Sequence, residues 1–162
     1  MNQTCIAVVD AARARLFTLE RSAEAGGLQE HFEERRDLVN PQRRLRPSEL
    51  FSESRPGSSR IGGRQFAFDD HRDDHIEALD AEFARAVANE MVSLLRQTHA
   101  NRLIVCASPH MLGELRRAHG ELRHAGLAVE EIPRDLVKLT PAELREQLES
   151  YGVLPPRPPG AA

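Results

Sequence analysis

Two short apolar runs constrain this chain more than any other feature. Residues 4–9 (TCIAVV) and 103–107 (LIVCA) contain no charged side chain and no turn former. Each is shorter than a typical helix and unbroken by polar alternation, the pattern of a strand buried on both faces. Each run needs apolar cover on both sides, and a helix is the element that provides it in an α/β protein. The rest of the sequence is read against that demand.

Residues 14–19 (ARLFTL) alternate after a short DAAR link and predict a hairpin partner for the first strand. Ala25-Gly26-Gly27 is a turn signal, and residues 28–38 predict a longer, polar third strand exposed on one face. From about Asp73 to Thr98 the apolar residues Ile76, Leu79, Phe83, Val87, Met91, Leu94 and Leu95 recur at spacings of three and four, which predicts a helix. Asp73 and Asp74 suit its positive end. After the second apolar run, Ser108-Pro109 is a helix start, with serine as cap and proline in the first turn. That helix carries Met111, Leu112, Leu115 and Leu122 and ends at Gly126. Residues 127–132 predict a fifth strand, and Thr140-Pro141-Ala142-Glu143 a capping box that opens a last helix reaching about Tyr151.

The order is β-β-β-α-β-α-β-α. It fits an α/β fold with a mixed five-stranded sheet and helices on both faces, for which the ribonuclease H-like arrangement is the best-known solution. Residues 1–152 read as one domain with a basic flexible loop at 40–68, and residues 153–162 as an extended, mobile proline-rich tail. No internal repeat is visible.

Charge is unevenly spread. The segment 40–64 (NPQRRLRPSELFSESRPGSSRIGGR) holds Arg43, Arg44, Arg46, Arg55, Arg60 and Arg64 against Glu49 and Glu53. Its net charge is +4 in a chain of net charge −3, so the remainder carries −7. All but one of the 22 basic residues are arginine; that excess reflects coding bias, and only the clustering is informative. Guanidinium forks on a glycine- and serine-rich backbone suit phosphate, so these six arginines are the candidate nucleic-acid contacts. Few aromatics argue against a platform that stacks single-stranded bases. No apolar run is long enough to cross a bilayer, and residues 1–15 lack a basic leader and a long apolar stretch. The expectation is a cytoplasmic protein with no membrane contact. Cys5 and Cys106 lie in the apolar runs and read as core thiols.

Chemical motifs are sparse. Asp10 ends the first strand, where open α/β sheets place ligands, with Arg13 and Arg15 beside it as anion contacts. A two-metal nuclease would need further carboxylates there. Glu77 or Glu82 of the following helix are available, but the fourth strand ends in Ala107-Ser108 without an acid. Otherwise Asp10 caps a turn and pairs with Arg13 or Arg15. His71 and His75, four apart, share a helix face and could hold a divalent ion with a carboxylate, but no third ligand is signalled and no metal is expected. Ser108 lies at a strand-to-helix turn that offers N–H groups to an anion, and it lacks the glycines of a nucleophile elbow. Gly62-Gly63-Arg64-Gln65 lets backbone approach a partner closely. As a hydrolase the chain would rely on Asp10, Arg64, His71 and His75, an incomplete set. No cofactor is expected.

Several of these stretches together resemble one family. VVDAARARLF (8–17), GGR (62–64), the acidic run leading to His75 and Phe83-Ala84, RLIVCASPHMLGELR (102–116) and EIPRDLVKLTPAEL (131–144) are similar to the bacterial host attachment proteins. These are described as required for attachment to host cells and are grouped with archaeo-eukaryotic peptide-chain release factors. The resemblance covers the chain to about Tyr151. It implies the ribonuclease H-like central domain of those factors and an RNA or ribosome partner. Ala11 stands where the family usually has glycine, and Ser108 where it usually has proline. The Gly-Gly-Gln of true release factors is not reproduced, because Arg64 follows Gly63 and Gln65 comes one place late. The resemblance therefore implies a non-catalytic RNA- or ribosome-binding module. The alternatives are a regulatory or interaction protein that affects attachment indirectly, and a degenerate or metal-dependent hydrolase of a phosphoester or peptidyl ester.

Overall fold

The computed structural model describes residues 2–44, 64–120 and 126–160. Five strands form one mixed sheet in the order β3-β2-β1-β4-β5: β1 (Asn2–Val9), β2 (Arg13–Glu24), β3 (Gly27–Val39), β4 (Arg102–Ala107) and β5 (Ala128–Ile132). β1 pairs antiparallel with β2 and parallel with β4. β2 and β3 are antiparallel, β4 and β5 parallel. The two apolar runs are thus the adjacent strands β1 and β4, with a neighbour on either side.

Alternate residues of these strands feed two cores. Cys5, Ala7, Val9, Leu103, Val105 and Ala107 face α2 (Arg64–Thr98) and α3 (Pro109–Ala118). Ile6, Val8, Ile104 and Cys106 face α4 (Pro141–Ser150) and the Leu136–Val137 stretch before it. Helices therefore cover both faces, as the apolar runs demand. A helix of four residues, α1 (Pro41–Arg44), follows β3.

The boundaries differ from expectation in three places. α2 begins at Arg64 rather than near Asp73, since the intervening RQFAFDDHR holds no glycine or proline to stop it. With α1, this makes 41–44 and 64–68 helical within the 40–68 segment expected as loop. α3 stops at Ala118, and the N–H of His119 closes it on the Leu115 carbonyl at 2.9 Å. Gly120 beyond it is a poor helix former, and Leu122 lies outside the described residues. The tail from Val153 is held rather than loose. Leu154 is buried, Arg145 donates to the Pro155 carbonyl at 2.6 Å, and Arg21 donates to that of Pro156.

β3 also contains a bulge at Arg35. Leu16 pairs with Arg36, but Phe17 pairs with Glu34. The extra residue reverses the facing of the strand. Phe32 packs on the α4 side and Leu38 on the α2 side, although a regular strand would put both on one face.

Cys5 and Cys106 belong to opposite cores and are unpaired. Burial raises both thiols, Cys106 to about 12, and a contact with Thr98 only partly offsets this at Cys5. Neither is expected to react with Ellman's reagent at about pH 8 in the native protein, and both should react after unfolding in guanidinium. Rapid native labelling would contradict this packing.

Candidate functional site

The chain gathers polar side chains where β1 and β4 end. Asp10 follows β1, and its Oδ1 accepts from the N–H groups of Ala12 (2.8 Å) and Arg13 (2.7 Å). Its backbone N–H donates to the Arg13 carbonyl at 2.8 Å. In this structure Asp10 shapes the β1–β2 turn. Asn40, buried at the end of β3, is stitched to the same turn. Its backbone N–H reaches the Ala12 carbonyl (2.8 Å) and its Nδ2 the Ala11 carbonyl (3.2 Å). The basic segment therefore starts from a fixed root.

Arg43, on the turn of helix that follows, turns to Asp80 of α2, with Nε 3.1 Å from Oδ1. The other oxygen of Asp80 lies 3.0 Å from Nε2 of His110, in the first turn of α3. The Asp80 side chain is 2% exposed, those of Arg43 and His110 27% and 52%. One buried carboxylate thus joins three helices, with an arginine and a histidine as partly exposed partners.

The other expected residues fall as follows. Ser108 caps α3, its Oγ accepting from the Met111 N–H at 3.4 Å. Arg13 grips Asp37 with two bonds, of 2.9 and 2.6 Å, and those bonds hold the Asp37 carboxyl below its usual range. Arg15 is buried. It bonds both oxygens of Glu34 and donates to the Val137 and Leu139 carbonyls, so it ties β2 to the loop before α4. A cleft of about 430 Å³ lies among Asp10, Arg13, Asp37, Val39, Val137 and Lys138, with cations and carboxylates in equal number. Arg44, Arg64 and His71 lie on described helical backbone, but their side chains are outside the described set, and Arg46, Arg55 and Arg60 lie outside the described residues. His75 is exposed on α2. Among the described residues no three His, Cys, Asp or Glu side chains cluster to hold a metal. Nor is any helix among them long and apolar enough to cross a membrane.

Sequence reasoning singled out Arg43 and missed Asp80. The signal was there. Asp80 falls on the buried stripe of α2, between Leu79 and Phe83, where a charge needs a partner.

Fold and edge together define a small α/β protein whose arginine-rich segment is rooted at the carboxyl edge of a mixed sheet. The chain belongs to the family described as protein required for attachment to host cells, whose model matches residues 5–148. That span takes in Asp10, Arg43, Asp80, His110 and Arg145 and stops before the tail. No curated protein matches the chain.

Proposed function

We propose that this protein is a non-catalytic module that binds RNA, free or on the ribosome, through the arginines of segment 40–64. One observation carries the reading: a segment of charge +4 in a chain of −3 leaves the sheet from a root fastened by Asn40 and Arg43. A fixed root and a basic backbone favour contact with phosphates, which needs charge and reach but no base-reading pocket. The sheet order, with β2 antiparallel to both neighbours, supports the ribonuclease H-like likeness and, through it, kinship with the release-factor central domain. The missing Gly-Gly-Gln favours binding over peptidyl hydrolysis.

Filter binding to bulk tRNA and to ribosomes at two salt concentrations tests this. Affinity should fall steeply with salt, by about 0.7–0.9 in log–log slope for each phosphate neutralised. Replacing Arg44, Arg46, Arg55 and Arg60 together by glutamine should weaken low-salt binding at least about tenfold and flatten the slope by about 3. Absence of binding at low salt, or an unchanged slope in the variant, removes the proposal.

A further inference from the structure

We infer that Arg43 and His110, both held by Asp80, form a discrete phosphate-binding site that is completed when His110 takes up a proton. The inference rests on the RNA reading in naming a phosphate diester as the natural ligand, and it adds a residue outside the basic segment.

A carboxylate removed from water needs compensating charge and hydrogen bonds. His110 meets one oxygen of Asp80 at hydrogen-bond distance, 3.0 Å, and Arg43 sits as an ion pair 3.1 Å from the other oxygen, which takes no hydrogen bond from any described residue. The carboxylate is sealed while its partners are not. A guanidinium and an imidazole, each partly exposed, therefore share one buried carboxylate as their anchor. Donors fixed in advance lose little freedom when a ligand arrives.

The chemistry of the imidazole makes the site conditional. An ionised carboxylate only accepts hydrogen bonds, so Nε2 of His110 must be the donor to Asp80. In the neutral ring the other nitrogen, Nδ1, is then an acceptor and repels a phosphate oxygen. In the charged ring Nδ1 is a donor and attracts it. The three side chains sum to zero charge with neutral His110 and to +1 with the proton on.

Among the described residues, the surrounding charges leave His110 to Asp80. From α2, exposed Glu77 lies one turn before Asp80. From α1, Arg43 reaches the carboxylate. On α3 itself, Glu114 is turned to Arg117 at 3.4 Å. β4 contributes only Arg102, at its far end and paired with Glu130 at 2.6 Å.

The test uses the full chain and two probes, a single-stranded oligouridylate at low salt and inorganic pyrophosphate. The wild type should bind the oligonucleotide about tenfold more tightly at about pH 5.5 than at about pH 8, and His110→Gln should reduce that ratio to about twofold or less. Pyrophosphate should move the His110 imidazole signals in NMR spectra of the wild type and leave those of the other histidines in place. His110 is half exposed, so the glutamine variant should fold; Arg43→Gln offers a second route and should abolish the pyrophosphate response. Oligonucleotide binding with the same pH ratio in wild type and His110→Gln, and unmoved imidazole signals, would overturn the site while leaving RNA binding intact. A pyrophosphate response without oligonucleotide binding would support the site and remove the RNA reading. Loss of both responses removes both.

Discussion

Replacing Arg145 by alanine is expected to destabilise the protein by about 3–5 kcal/mol, the cost of taking one arginine partner from a buried carboxylate. Arg145 is 1% exposed. It lies on the inward side of α4, between the buried Leu144 and Leu148, so the helix that packs the sheet also carries a guanidinium into it. Its Nε and one terminal nitrogen grip both oxygens of Glu30 at 3.0 and 2.9 Å. The Glu30 side chain is only 5% exposed and is shared with Arg21 at 2.9 Å. The alanine variant leaves Glu30 with Arg21 alone and takes a donor from the Pro155 carbonyl, so the tail should loosen as well. Acid should act through the same contacts. Burial alone would raise the Glu30 carboxyl, but hydrogen bonds from Arg145 and Arg21 outweigh it and draw the carboxyl down. A folded value below the unfolded one gives stability that is complete above the ordinary carboxylate range and is lost as pH falls through the lowered value. Asp37, drawn down by Arg13, acts in the same direction. Urea melts at neutral pH and at about pH 3 should therefore show the wild type losing more stability to acid than Arg145→Ala. A neutral-pH loss below about 1 kcal/mol would mean that the pair does not stabilise the fold as its burial implies.

What was legible in the sequence follows from the range of the interactions involved. β1 and β4 were readable because a strand buried on both faces writes its environment into every residue. The caps of α3 and α4 were readable because Ser108 and Thr140 act within three residues of themselves. The bulge at Arg35 was not, since it exists only in the pairing of β3 with β2, and nothing local separates Arg35 from Arg36. The start of α2 was obscured for a related reason. Its apolar stripe begins at Ile76, whereas the helix continues back through residues that its propensities allow but no stripe announces. The site divides along the same line. Asp10 was placed at a strand end by pattern alone, and its turn-shaping role is local. The Arg43–Asp80–His110 group joins residues 37 and 30 positions apart, so charge clustering could name Arg43 but could not bring Asp80 or His110 to it. Arg145 escaped notice because an arginine in an amphipathic helix ordinarily reads as solvent-facing.

Phe17→Ala is expected to cost a further class of stability, about 3–5 kcal/mol, by opening a cavity rather than orphaning a charge. Phe17 is fully buried beneath α4 among Ile6, Leu19, Ile104 and Leu144. Its ring stacks on Phe32 with centroids 5.2 Å apart and planes 4° from parallel, a contact that the bulge makes available by turning Phe32 to this side of the sheet. The Arg15 guanidinium lies 5.0 Å from the Phe17 centroid, while its donors hold the Val137 and Leu139 carbonyls. Truncation therefore removes a core side chain and also the surface against which Arg15 is positioned. Phe17→Leu keeps most of the volume and should cost about 1.5 kcal/mol or less. Phe32→Ala, at a half-buried position on the edge strand, should cost less than Phe17→Ala, because it forfeits the same stacking but a smaller transfer from water. Urea denaturation of the three variants gives the order directly. Equal losses for Phe17→Ala and Phe32→Ala would place the energy in the aromatic pair itself and not in the packing beneath α4.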